Sequence, residues 1–307
     1  MKDTNSRTYP VLLAFDKNFL GPATVTIHSL IKNNPDLNFS FYIICQGPDN
    51  SWLKPIEEFV KKKGASFTVK EVGFDSLKNV KVELHFSVAT YLRLFSADLI
   101  SEDKALYLDT DIIVNGSVSD LFNVELGDHA LAAVSDPKIE DFGRLELSKE
   151  EGYFNSGMIV LNLNKWREMQ LGEKALEYIF KYPDKIKYAD QCGLNAVLKG
   201  EWLRLDPKWN VQTSFFDNEI FSVAVSQFGK EKFQNAIKNP IIIHYTEASK
   251  PWHFQNKHPL KDLYWTYLNE TEYAQEFKNK YGLKDYVKWG IPKSIKKRYW
   301  RYLKNKN

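Results

Sequence analysis

An α/β fold built on a mainly parallel, doubly wound sheet is predicted by three features of this sequence. Short apolar strands alternate with amphipathic segments through residue 114. The 307-residue chain is 43% hydrophobic and 26% charged, enough to bury a large core, and the longest apolar run falls short of the roughly 20 residues that cross a membrane. Cys45 and Cys192 stand far apart without metal-ligand spacing, which argues against a zinc site or disulfide framework and favours a reducing cytoplasm.

The elements follow in order. "YPVLLAFD" is a buried-strand run, and Pro22 is placed to open a helix through "ATVTIHSLIKNN". "NFSFYIICQG" is a second strand, "SWLKPIEEFVKKKG" a helix closed by Gly64, and "SFTVKEV" a third strand. "SVATYLRLFSADLI" reads as a helix leading into the fourth strand, "ALYLDTDIIV". This β-α-β-α-β-α-β order implies right-handed crossovers, with ligands bound beyond the carboxyl ends of the strands.

That rule brings Asp16 and Asn18, after the first strand, near Asp109 and Asp111, at the end of the fourth. Carboxylates in so apolar a segment call for a compensating positive charge. In an extended chain residues i and i+2 project to one side, so both aspartates could reach a single Mg²⁺ or Mn²⁺. Chance alone supplies about five acid-x-acid pairs in a chain of this composition, so the apolar setting carries the signal. No GxGxxG follows the first strand and no GxxxxGK[ST] occurs, which leaves a diphosphate held through a metal, as in nucleotide-sugar enzymes.

Seven stretches between residues 11 and 253 resemble glycosyltransferase family 8 in family order: "LLAFDKNF", "FSVATYLRL", "ALYLDTDIIVNGSVSDLF", "YFNSGMIVLNLNKWRE", "YADQCGLNAVL", "LDPKWNVQ" and "IIIHYTEASKPWH". This group of retaining enzymes with the GT-A fold includes bacterial lipopolysaccharide galactosyl- and glucosyltransferases. The resemblance implies a UDP-hexose donor, galactose or glucose, a glycan or glycolipid acceptor and an α-linked product. It assigns Asp109, Asp111 and His244 to the metal, and an imidazole beside two carboxylates shifts the expectation towards Mn²⁺. Phe15, Asp16 and Asn18 correspond to the uridine site, Arg93 and the Asp109-Thr110-Asp111 segment to the donor, and Lys250 to the donor diphosphate. Asn155 and Ser156 resemble the loop lining the sugar pocket, although Asn-Ser-Gly would also make an ordinary turn. Asp136 opens a 136–152 segment that resembles the lid over the acceptor.

Asp190 and Gln191 are the expected catalytic pair. Gln191 stands where a retaining hydrolase carries a carboxylate nucleophile, and an amide is a poor nucleophile. The resemblance therefore implies front-face substitution, with Asp190 as the alternative should a covalent intermediate form. Many family members carry glycine three residues after the metal histidine, where this chain has Glu247. Two other readings stay open at this stage: a catalytically silent sugar-binding relative, and a nucleotidyltransferase that makes the nucleotide-sugar.

The expected division is a catalytic domain over 1–260 and a basic, aromatic extension over 261–307. Residues 281–307 hold nine Lys or Arg against Asp285, a balance of +8 that leaves −5 on the first 280 residues. No nucleic-acid-binding module accompanies that charge. Ile291, Ile295, Tyr299 and Tyr302 recur at helical spacing with the basic residues largely elsewhere, so the tail is expected to bind an anionic membrane. Packing of its apolar side on the body is the alternative. The location implied is cytoplasmic, peripheral on the inner face of the plasma membrane.

Overall fold

The computed structural model describes residues 7–73, 88–253 and 255–279, and the chain divides into two compact units, 1–248 and 249–307. The first unit opens with β1 (Thr8–Ala14), α1 (Leu20–Lys32), β2 (Asn38–Gln46), α2 (Lys54–Lys62) and β3 (Ser66–Val72). A 3₁₀ stretch, Val88–Phe95, and α3 (Ser96–Leu99) lead to β4 (Lys104–Leu108), β5 (Ile112–Val114), α4 (Ser119–Asn123), β6 (Leu131–Ser135) and β7 (Phe154–Asn162). There follow α5 (Leu163–Met169), α6 (Leu171–Lys181), α7 (Ala189–Leu198), β8 (Leu203–Arg204), β9 (Val211–Gln212), α8 (Asn218–Phe228), α9 (Lys230–Lys238) and β10 (Ile242–His244).

Seven strands form the main sheet in the order β3-β2-β1-β4-β7-β6-β8, and β7 alone runs antiparallel to its neighbours. The expected doubly wound α/β sheet is therefore present. Period-2 alternation sends successive residues of each strand into opposite cores. Val11, Leu13, Leu106 and Leu108 join α1, α2 and α9 on one face, whereas Leu12, Ala105 and Tyr107 join α5, α6 and α7 on the other. Burial on both faces explains why these strands read as continuous apolar runs.

Two expected elements differ. "ALYLDTDIIV" is not one strand: β4 ends at Leu108, the chain turns through Asp109–Asp111, and β5 joins a second sheet in the order β5-β10-β9. The turn is pinned by Asp109 N–H donating to the Gly157 carbonyl at 2.7 Å and by Thr26 Oγ1, which lies 3.0 and 2.8 Å from the carbonyls of Thr110 and Ile112. The expected helix before β4 is largely a 3₁₀ stretch, in which Tyr91, Leu92, Arg93 and Leu94 are all buried. Packing on every side overrides helical propensity there.

The second unit contains α10 (Lys261–Leu268) and α11 (Ala274–Asn279). Its leading turn is tied down by Trp265 Nε1, which donates to the Pro251 carbonyl at 3.0 Å, and by Trp252 against Tyr264 at 5.3 Å between ring centroids. The tail expected to bind membranes, 281–307, lies outside the described residues, and among those described no helix is long and apolar enough to cross a bilayer.

Candidate active site

The end of β4, the start of β7, the amino end of α7 and the end of β10 bring most of the expected site residues together. One oxygen of Asp109, one of Asp111 and a ring nitrogen of His244 lie within 4.8 Å of one another. His244 Nε2 stands 3.2 Å from Asp111 Oδ1 and 3.7 Å from Asp109 Oδ2. The other Asp109 oxygen, Oδ1, accepts from Arg93 Nη2 at 2.8 Å and from the Tyr107 hydroxyl at 2.9 Å. Asp109 is thereby oriented with Oδ2 towards the imidazole.

A divalent cation fits this group on two grounds. Two carboxylates and an imidazole are a suitable donor set for Mn²⁺, whose preference lies between all-oxygen and nitrogen-rich sites. The second ground is that imidazole and carboxylate pack directly on backbone: a Cβ on Gly157 would come within 2.0 Å of His244 Cε1 and 2.7 Å of Asp109 Oδ2, so a glycine there is what lets the two side chains converge.

Arg93 is the electrostatic hub. Expected at the donor, it is 5% exposed. Its Nε lies 2.7 Å from Asp190 Oδ2, its Nη1 donates to the Ser156 carbonyl, and its guanidinium lies over the Tyr107 ring at 4.4 Å. Burial opposes its charge, but Asp109 and Asp190 outweigh burial and raise its pKa. On the other side, burial pushes the Asp190 carboxyl up to about 7 against the pull of Arg93. Burial also raises the Tyr107 hydroxyl well above its ordinary range, so it serves as a neutral donor.

Gln191 sits beside this pair on α7, with its Oε1 accepting from Ser156 N–H at 3.0 Å and Ser156 Oγ at 3.4 Å. Its amide also bonds Asp136 and Tyr153. Asp136 is buried, which raises its pKa against hydrogen bonds from Asn155, the Lys138 amide and Gln191. Asn155 and Ser156 belong to β7, not to a turn, because the ladder to β6 resumes at Asn155 after a bulge between Ala133 and Val134.

The remaining positions are placed separately. Phe15 is buried edge-on to Trp52, and Asp16 caps the following 3₁₀ turn by accepting from the Asn18 amide at 2.9 Å. Thr110 is buried within the turn between the two aspartates. Lys250 belongs to the second unit, where its amide donates to His253 Nδ1 at 3.1 Å.

Four residues of this centre were not singled out by sequence: Tyr107, Tyr153, Gly157 and Asn210. Tyr107 had a usable signal, since it shares a strand face with Asp109 by i, i+2 spacing. Gly157 and Asn210 act through contacts distant in sequence.

Comparison with known proteins places these features in context. The profile described as Glycosyl transferase family 8 matches residues 10–256. General stress protein A of Bacillus subtilis strain 168 is 30% identical over 259 residues, 80% of this chain and 87% of that protein. The lipopolysaccharide 1,2-glucosyltransferase of Escherichia coli K12 is 32% identical over 253 residues, 79% of this chain and 72% of the relative. In structure, the galactosyltransferase LgtC, crystallised with donor and acceptor sugar analogues, matches with a TM-score of 0.77 at 23% identity, over 87% of this chain and 99% of that one.

Proposed function

Because the chain belongs to glycosyltransferase family 8, we propose that this transferase moves galactose or glucose from a UDP-sugar to a glycan or glycolipid acceptor, forming an α linkage with retention and requiring Mn²⁺ or Mg²⁺. The observation that carries the reading is the convergence of Asp109, Asp111 and His244, with His244 and Asp109 packed on a glycine whose position has no room for a side chain. These residues would hold the cation, which when bound would supply charge compensation for the departing UDP diphosphate. Phe15, Asp16 and Asn18 would receive the uridine.

Front-face substitution is the pathway these groups support. Asp190 is 1% exposed and paired with Arg93, so acting as a nucleophile would cost it that ion pair. Gln191 is 8% exposed, and its carbonyl oxygen, held by Ser156 N–H at 3.0 Å, shares its second lone pair only with the rotatable Ser156 hydroxyl at 3.4 Å, which could release it to positive charge developing at the anomeric carbon. Asp136, beside Gln191, would contact the acceptor. The lipopolysaccharide glucosyltransferase among the relatives supports a glycolipid acceptor. The charge of residues 281–307 supports docking on an anionic membrane face.

The test is UDP release from a panel of UDP-sugars by the full chain with Mn²⁺. Release from UDP-galactose or UDP-glucose, suppressed by EDTA, is expected. Release that is unaffected by EDTA overturns the metal requirement, and turnover of a different nucleotide-sugar overturns the donor assignment.

A further inference from the structure

The hydrogen bonds leading away from His244 begin at an anchor whose direction is fixed. The backbone N–H of Gly157 can only donate, and Asn155 Oδ1 receives it at 3.1 Å. That contact identifies the Asn155 atom as oxygen, so the Asn210 atom 2.9 Å from it is the amide nitrogen. Asn210 must then turn its carbonyl oxygen to His244, whose Nδ1 lies 3.1 Å away and therefore carries hydrogen. The remaining ring nitrogen is Nε2, the atom that faces Asp109 and Asp111. Asn155, Asn210 and His244 are 6%, 0% and 4% exposed, which leaves little room for water to substitute for a missing link.

We propose that Asn210 is a positioning residue which, braced by Asn155, holds hydrogen on His244 Nδ1 and reserves Nε2 as the metal-ligating atom. If the ring turned over, a carbon would face the Asn210 carbonyl and another carbon would face Asp111. A buried carbonyl without its donor is costly, so the chain opposes that rotation. The inference rests on the cation site proposed above and deepens it by naming what orients its imidazole. Partners of this kind beyond the ligands typically tune metal affinity by about 10–100-fold.

The test uses the full chain, ¹⁵N-labelled, metal-free and loaded with Mg²⁺, with Mn²⁺ affinity measured by calorimetry. An exchange-protected Nδ1–H resonance, assigned by its loss in His244→Gln, is expected in both forms of the wild type. Asn210→Leu should lose it and bind Mn²⁺ about 10–100-fold more weakly. Asn210→Asp, which keeps an oxygen for Nδ1–H, should retain the resonance and more of the affinity. A resonance unchanged in Asn210→Leu, or wild-type Mn²⁺ affinity in that variant, overturns the proposal. Absence of the resonance from the wild type also overturns it, whether or not Asn210→Leu folds. If the wild type binds no Mn²⁺, the metal reading fails on its own, while the metal-free resonance still reports which nitrogen carries hydrogen.

Discussion

Lys138 Nζ lies 2.5 Å from Glu247 Oε1, joining the 136–152 segment to the residues that follow His244. Glu247 is the departure from the family's usual glycine, and its negative charge is paired. Both side chains are about half exposed, so the bridge contributes at most about 1 kcal/mol to stability. Its proposed importance is local: Lys138→Ala would leave an unpaired carboxylate on the loop assigned to the diphosphate. The expected result is a KM for the UDP-sugar several-fold higher with little change in kcat, reversed in Lys138→Ala/Glu247→Ala. Steady-state kinetics check it, and a double variant no better than the single one rejects charge repulsion as the cause.

Asp109→Asn and Asp111→Asn should each lower kcat/KM by about 10²–10³-fold, the scale of removing an electrostatic contact made to developing charge. Asp109→Asn carries a second effect, because its Oδ1 also receives Arg93 and Tyr107. Mn²⁺ titration and circular dichroism together separate lost metal from lost fold. Unchanged Mn²⁺ affinity in both variants removes these aspartates from the ligand set.

β1 and β2 are legible because they are central strands whose apolar runs are largely buried, and β3, an edge strand with only Val72 buried, is legible from its alternating polar and apolar residues; residues 8–14, 38–46 and 66–72 form strands where these patterns predicted them. The turn at Asp109–Asp111 was hidden because Ile112–Val114 is as apolar as Leu106–Leu108, and only pairing to β10 and β7 separates the two. The ion pairs of Arg93 could not be read from the sequence, because Asp109 and Asp190 are brought to it by the end of β4 and the start of α7. Asn210 was unmarked for the same reason, since an asparagine before a short strand reads as turn chemistry.

Gly157→Ala should abolish high-affinity Mn²⁺ binding. The added methyl would lie 2.0 Å from His244 Cε1, and His244 is 4% exposed with its Nδ1 held by Asn210, so the ring cannot move aside without breaking that bond. Overpacking of this kind costs about 1–3 kcal/mol, so melting temperature should fall as well. Wild-type Mn²⁺ affinity in this variant rules out a cation site that depends on His244 and Asp109 packing against residue 157.

Gln191→Ala should retain donor binding and lose kcat. An interaction that strengthens only as charge develops affects the transition state more than the ground state. Because Gln191 Oε1 also accepts from Ser156 N–H, Gln191→Glu is the informative companion: it preserves an acceptor while changing charge. Equal kcat in wild type and Gln191→Ala excludes the residue from the chemical step.

His258 sets an acid limit on the second unit. It is 7% exposed, and burial lowers its pKa from 6.5 to about 4. Its Nδ1 accepts from the Leu260 amide at 3.1 Å, so a proton there would also break a hydrogen bond. The folded state thus binds fewer protons than the unfolded chain between these values, and stability falls as pH drops from 6.5 towards 4, then levels off below it. At 1.36 kcal/mol per unit the loss reaches about 3 kcal/mol. Carboxylates titrate in the lower half of the same window, so the quantity to measure is the difference between wild type and His258→Gln. Thermal melts from pH 7 to 3.5 should show the wild type losing stability more steeply between 6.5 and 4, with the two curves parallel outside that interval. Curves parallel throughout would mean that His258 is protonated equally in the folded and unfolded states.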